Sequence, residues 1–278
     1  MSYLSVSTWS LHRILGPLRW TVWNAEAGIH ETNEQEQPQI LTLLELPAAA
    51  AAYGYQALEV CHFHFPSTEP AYLEQLQLAF NESGVHFDTL LLDYGNLTST
   101  DELRRSADLS LIENWIDIAS QCGAKQIRVI AGEAPPTDEA AIQLSAQSLF
   151  KLAEYGTTRG VRVITENFKP LTSTADSSLK LLEQAGEYVG FITDFGNYHG
   201  PDKLDEIAAT APLSVSVHVK PTYDQDGVPD QAELISYLNK VQEVGFQGAY
   251  VLIYDGPGDM WHGLERVKTI VEPYITAR

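Results

Sequence analysis

The sequence predicts a single-domain (β/α)8 TIM barrel, and three observations carry that expectation. A helical run ending in glycine is followed within a few residues by a β-branched apolar run. This pattern recurs as AAAAAYGYQALEV, AFNESGVHFDTLLLD, IASQCGAKQIRVI, LAEYGTTRGVRVITEN, LLEQAGEYVGFITDFGN and VQEVGFQGAYVLIYD. The apolar runs are continuous rather than alternating, as in parallel strands buried on both faces. The length also fits, since 278 residues, 44% of them hydrophobic, suit one barrel better than two smaller domains.

The elements follow in order. LSVSTW gives a first strand at about 3–8. The terminating glycines Gly54, Gly84, Gly123, Gly160, Gly186 and Gly245 supply the positive φ that closes a helix. They place strands at about 57–62, 87–92, 126–131, 161–166, 190–194 and 249–254. LSVSVHV adds a strand at 213–219, for a total of eight, and a last helix is expected near 261–272. An open doubly wound sheet is the main competitor, but no strand leads into a GxGxxG turn. Two excursions leave strand C-terminal ends, the face on which barrel enzymes carry their sites. One is a long loop at 13–46 with Trp20, Trp23 and several carboxylates; the other is PTYDQDGVPD at 221–230. Loops of the first kind are usually lids or binding loops, so 13–46 is expected over the barrel mouth. Trp20 and Trp23 offer apolar area to a ligand or to the partner subunit of a homo-oligomer.

Composition excludes several function classes. Seventeen Lys and Arg against 37 Asp and Glu leave a formal charge of −20, which repels nucleic acid and anionic lipid. Two cysteines, Cys61 and Cys122, without a CxxC, argue against a disulfide framework or a structural zinc site. There is no charged segment ahead of an apolar N-terminal stretch, and no apolar run reaches the ~20 residues that span a bilayer. A soluble cytoplasmic protein is expected.

Polar residues at strand C-terminal ends are the candidate site, read by the alternation of inward and outward side chains. Glu166 ends the fifth strand in parity with Ile164, and Asp194 ends the sixth in parity with Ile192. His218 ends the seventh in parity with Ser216, with Lys220 two residues further on. Two carboxylates and an imidazole on consecutive staves form an oxygen and nitrogen donor set for a divalent cation. Such a cation polarises a carbonyl while a carboxylate beside it moves the proton. A less specific alternative is three unrelated polar strand ends, each paired with a neighbour.

The eight-strand pattern, TEN at 165–167, TDFGN at 193–197 and HVK at 218–220 resemble the xylose isomerase-like sugar phosphate isomerase/epimerase barrels. The resemblance implies one divalent cation, Mn, Mg, Co or Zn, held by a Glu, an Asp, a His and a second Glu on the eighth strand. Glu166, Asp194 and His218 take the first three roles, and Lys220 matches the basic residue that commonly follows the His. It further implies proton transfer beside a ketose carbonyl by the two Glu residues, with Glu166 one of them.

The chain departs from this pattern on the eighth strand, where Ile253 stands at the position of the second Glu. Asp255, two residues on with the same parity, is expected to supply the missing metal-binding and catalytic carboxylate. Tyr254 is expected to point away toward the helices. Asn197 replaces a family His, with His199 close by; both count as substrate-binding candidates, as does Lys220. His62 and His64 alternate in CHFHF at the end of the second strand and are further substrate-binding candidates. Glu59 reads either as a support beneath the site or as a substrate contact. Asp93, Asn96 and Glu133 are pocket candidates. Trp9, Trp20 and Trp23 are candidates for stacking on a sugar, although aromatics are more often core. Arg128 reads as structural. The leading expectation is a metal-dependent isomerase or epimerase of a small sugar or polyol-derived ketone. The alternatives are a metal-dependent lyase of the inosose dehydratase type and a non-catalytic ligand-binding barrel.

Overall fold

The computed structural model describes residues 2–276. Its strands are β1 (Tyr3–Ser7), β2 (Leu18–Asn24), β3 (Ile29–Gln35), β4 (Ala57–Cys61), β5 (His86–Leu91), β6 (Gln126–Arg128), β7 (Arg162–Glu166), β8 (Gly190–Asp194), β9 (Ser214–Val219) and β10 (Ala249–Leu252). The helices are α1 (Leu46–Ala52), α2 (Pro70–Ser83), α3 (Glu102–Gln121), α4 (Glu139–Arg159), α5 (Ala175–Ala185), α6 (Lys203–Thr210), α7 (Gln231–Glu243) and α8 (Met260–Thr276). All strands except β2 and β3 form one closed parallel barrel in the order β1-β10-β9-β8-β7-β6-β5-β4, with β4 pairing back onto β1. The eight strands expected from sequence are these eight, and the fold is a TIM barrel.

The glycine logic holds at the helix ends. Gly84 and Gly160 close α2 and α4 at φ 72°, a left-handed conformation that costs a side-chain-bearing residue but not glycine. At the N-termini of α3, α4 and α7 the side chains of Asp101, Asp138 and Asp230 accept backbone N–H groups, each worth about 1 kcal/mol. The main core lies between strands and helices, where Leu58, Val60, Val163, Val217 and Leu252 are fully buried. Tyr254 joins this outer layer as expected, packed so closely on Gly263 of α8 that any Cβ there would strike its ring. The barrel interior is a separate set, with Ala249, Val251 and Ile253 facing Cys61, Leu91, Ile164 and Ile192 around the axis. No described helix is long and apolar enough to cross a membrane.

Residues 13–46 are not an irregular loop. Their centre is an antiparallel hairpin, β2 on β3, with seven paired positions from Leu18↔Gln35 to Asn24↔Ile29. Asn24 shapes the turn, its Oδ1 accepting Glu26 and Ala27 N–H groups at 3.1 and 3.0 Å. The hairpin rests on residues 62–64 at the C-terminal end of β4, with Trp20 on Phe63 at 4.3 Å between ring centres. His30 Nε2 pins β3 to the fully buried Asp108 of α3 at 2.8 Å. The excursion thus sits over the barrel mouth.

Candidate metal centre and substrate cavity

A cavity of about 340 Å³ opens at the C-terminal end of the barrel, at the small end of ligand pockets. The parity argument brings Glu166, Asp194 and His218 together at its floor, buried, with one ligand atom from each within 4.8 Å of the others. A one-residue register shift between β8 and β9, with Val215 of β9 the extra residue, completes the set. Phe191 pairs with Ser214 but Ile192 with Ser216, so Asp194 lies level with His218; without the shift it would face Val217, whose side chain points outward.

The orientation of each donor has a visible cause. Glu59 Oε2 lies 2.7 Å from His218 Nε2 and fixes the hydrogen on that nitrogen. This leaves the Nδ1 lone pair facing Glu166 Oε1 at 3.3 Å and Asp194 Oδ2 at 3.4 Å. Donors bound at the ~2.0–2.2 Å typical of divalent ions are themselves about 2.8–3.6 Å apart in tetrahedral or octahedral geometry. Both distances from Nδ1 fall in that range, so the imidazole and the two carboxylates are close enough to share one ion. Burial disfavours a charged His218, but the carboxylates of Glu59 and Glu166 outweigh it and hold the imidazole pKa well above its ordinary value. A cation at Nδ1 meets the same negative field in place of that proton. Glu59 is the supporting residue beneath the site, steadied in turn by Thr89 Oγ1 at 3.0 Å and Ser216 Oγ at 3.4 Å.

The TEN motif has a second function. Asn167 bridges the ends of β7 and β8, its Oδ1 accepting Asp194 N–H at 2.7 Å and its Nδ2 donating to Asp194 O at 2.9 Å. Asn197 lines the cavity and donates to Glu166 Oε1 at 3.2 Å. Lys220 lines it too, and its ammonium lies 3.4 Å from Asp255. Asp255 itself is exposed at the rim and stands outside the three-residue group, while Ile253 lines the cavity wall. The strand ends at Leu252, so strand parity no longer controls the side chain at 255.

Other candidates are also placed differently from the sequence expectation. His62 and His64 sit in a 3-10 turn beyond β4, where strand alternation does not apply, and neither lines the cavity. His62 Nδ1 accepts Asp93 N–H at 3.1 Å, and His64 Nδ1 meets Thr8 Oγ1 at 2.8 Å. Burial pushes their pKa values down to about 4 and about 3. His199 is exposed on the loop after β8 and away from the cavity. Asn96 and Glu133 bond to each other at 3.1 Å outside it. Asp93, Trp9 and Trp20 do line it, whereas Trp23 packs against His30 within the hairpin.

The residue that sequence reasoning missed is Arg128. It ends β6 level with Ile164 of the inner layer, lines the cavity, pairs with Asp93 and lies 3.2 Å from Glu166 Oε2. Burial opposes its charge, but Asp93 and Glu166 more than restore it. Its signal was available: an arginine between Ile127 and Val129 obeys the alternation that identified Glu166.

A family model described as xylose isomerase-like TIM barrel matches residues 47–270. The chain belongs to that family. Solved structures of low sequence identity show the same fold. An L-ribulose 3-epimerase superposes with a TM-score of 0.74 at 14% identity, over 100% of this chain and 95% of its own. The IOLI protein, solved with a binding zinc atom, gives 0.72 at 15%, over 99% and 98%. The probable 3-DHS dehydratase AsbF from Bacillus anthracis gives 0.69 at 16%, over 98% and 99%. No curated protein sequence matches this chain.

Proposed function

We propose that this xylose isomerase-like barrel is a divalent-metal-dependent isomerase or epimerase that moves a proton beside the carbonyl of a small sugar or polyol-derived ketone. The observation that carries this reading is the convergence of Glu166, Asp194 and His218 on one point of the cavity at the barrel mouth. A bound Mn, Mg, Co or Zn ion would polarise the carbonyl and favour its enolised form. The chain's residues do the rest. Glu59 holds His218 in the ligating orientation, and Asn167 holds Asp194. Glu166 stands beside the ion position with Asn197 on Oε1 and Arg128 near Oε2, placed to accept a substrate proton. Trp9, Trp20 and Ile253 form an apolar wall that covers the C–H face of a sugar and keeps water away from the reacting carbons.

One observation favours a second reading. The barrel order puts β1 opposite β7, so the wall across from Glu166 is formed by Ser7 and Trp9, with Ile253 beside them and no carboxylate among them. Such a wall suits outcomes served by a single base, either isomerisation across one face or loss of a β-hydroxyl in the lyase reading, better than two-base epimerisation.

The test begins with the metal content of protein purified without added metal, followed by incubation with ketoses and inososes in deuterium oxide. A stoichiometric ion with deuterium entering the carbon beside the carbonyl, lost in Glu166→Gln, supports proton transfer. Product analysis then separates isomer from dehydrated ketone. Absence of both ion and exchange would move the binding-barrel reading ahead.

A further inference from the structure

The loop after β7 is strained at one residue. Lys169 has φ 71° and ψ 166°, and it is the only described non-glycine residue at positive φ. That region of backbone space is essentially reserved for glycine, and a lysine persists there only where its surroundings over-determine it. They do so here. Pro170 demands an extended residue before it, and Thr172 Oγ1 ties the loop down by donating to Glu166 O at 2.7 Å and accepting Phe168 N–H at 3.2 Å. The strain carries a charge to the cavity, whose lining includes both Lys169 and Phe168. The Phe168 ring has the Lys169 ammonium 5.1 Å from its centre and the Arg128 guanidinium 4.9 Å from it.

Charge accounting then singles out Lys169. Glu166 and Asp194 belong to the ion, Asp93 to Arg128, Asp255 to Lys220, and Glu59 to His218 below the floor. No carboxylate pairs with Lys169 among the described residues, in a chain with 37 acidic residues against 17 basic ones. Arg128, only 3% exposed, adds an unsatisfied buried donor beside the exposed Lys169 ammonium, since its Nη1 has no hydrogen-bond partner. A buried unpaired donor and an unpaired cation on a strained backbone, joined through one aromatic ring, are suited to hold an oxyanion.

We propose that the cavity takes an anionic ketose derivative, with a carboxylate or phosphate gripped by Lys169 and Arg128 while the carbonyl faces Glu166, Asp194 and His218. The proposal rests on the metal-dependent reading above and narrows its substrate class from neutral sugars to sugar acids or sugar phosphates.

The experiment uses the full chain loaded with Mn²⁺ and reads paramagnetic broadening of ligand NMR signals, which detects weak binding close to the ion. Three probes are titrated: D-fructose, 2-keto-D-gluconate and D-fructose 6-phosphate. At least one anion should bind tenfold or more tightly than fructose, and the stronger of the two identifies carboxylate or phosphate as the preferred group. Lys169→Gln should remove most of that preference while Mn²⁺ affinity stays unchanged. Lys169→Gly should do the same with no fall in the thermal midpoint, because glycine relieves the strained φ. Equal broadening of the three probes, including none for any of them, overturns the proposal. So does a preference that survives both variants. Failure of Mn²⁺ to bind, or binding that survives Glu166→Gln and His218→Asn, instead refutes the metal-dependent reading.

Discussion

Glu59→Gln tests whether the imidazole of the candidate metal centre is set from below. The substitution keeps size and shape. Its amide oxygen can still face His218 Nε2, while the amide nitrogen turns to Thr89 and Ser216, whose hydroxyls rotate to accept. What disappears is a charged acceptor 2.7 Å from the ring, with both residues almost wholly buried at 1% and 3% exposure. Partners of this kind typically contribute 10–100-fold to metal affinity, or about 1.4–2.7 kcal/mol. Titration of Mn²⁺ or Zn²⁺ against a competing chelator should show that loss, with little change in the melting curve of the metal-free protein. The pH dependence has a definite sign. Glu59 helps hold the His218 pKa above its ordinary value, so protons compete with the ion, and wild-type affinity falls as pH is lowered. Glu59→Gln weakens that competition as well, so the difference from wild type should be largest at alkaline pH and shrink toward acid. An affinity within twofold of wild type at every pH would refute the orienting role.

The other predictions concern groups outside the three candidate ligands. His62 and His64 titrate near 4 and near 3 in the folded chain against about 6.5 when unfolded, so their contribution is complete above 6.5 and is lost as pH falls toward 4. Between pH 7.5 and 4.5 each should remove about 2–3 kcal/mol from the urea-unfolding free energy; a His62→Asn, His64→Asn double variant as acid-labile as wild type would contradict this. Asp255→Asn should leave metal affinity within about threefold, because an exposed partner of Lys220 is worth under about 1 kcal/mol; a tenfold loss would place Asp255 on the ion after all. His30→Ala should cost about 1–2 kcal/mol and expose the hairpin turn to proteases, since it removes the 2.8 Å bond that ties β3 to Asp108. Unchanged proteolysis would mean that Trp20 packing alone holds the hairpin.

The barrel and its candidate ligand trio were legible because both follow from strand periodicity. Glycine closes a helix, an apolar run enters the barrel, and an inward polar residue at its end reaches the mouth. The same logic fails where the backbone leaves the strand. Residue 255 lies three beyond the end of β10, and residues 62–64 turn into a 3-10 segment, so parity gave no information about Asp255, His62 or His64. The hairpin was hidden for a different reason. Six of the seven residues of β3 are exposed, so IHETNEQ lacks the apolar alternation by which a half-buried strand is recognised. Arg128 was a misjudgement of chemistry rather than of geometry, since the sequence placed it on a strand but not beside Asp93 and Glu166, which come from other staves.

The circular order of staves adds a constraint that no single residue carries. Asp93, Arg128, Glu166, Asp194 and His218 follow one another on the consecutive staves β5 to β9 or just beyond their ends, whereas β10, β1 and β4 contribute Ile253, Ser7 with Trp9, and Cys61. The mouth is thus divided into a charged arc of five staves and an uncharged, mainly apolar arc of three, with Trp20 of the hairpin also in the lining. A polyol has a matching division, with hydroxyl edges around a C–H face. A ligand turned over within this mouth would press hydroxyls against Trp9 and Ile253 without partners, at about 1–3 kcal/mol for each one left unsatisfied. Two such groups already disfavour the reversed pose by more than tenfold, because each 1.4 kcal/mol is a factor of ten. On the proposed reading, the charged arc would orient the ligand as well as hold the ion. On this argument Ile253→Gln, which places an amide in the apolar arc, should erode stereochemical selectivity before it erodes metal affinity. Chiral product analysis beside a metal titration would show the order, and loss of metal affinity first would refute it.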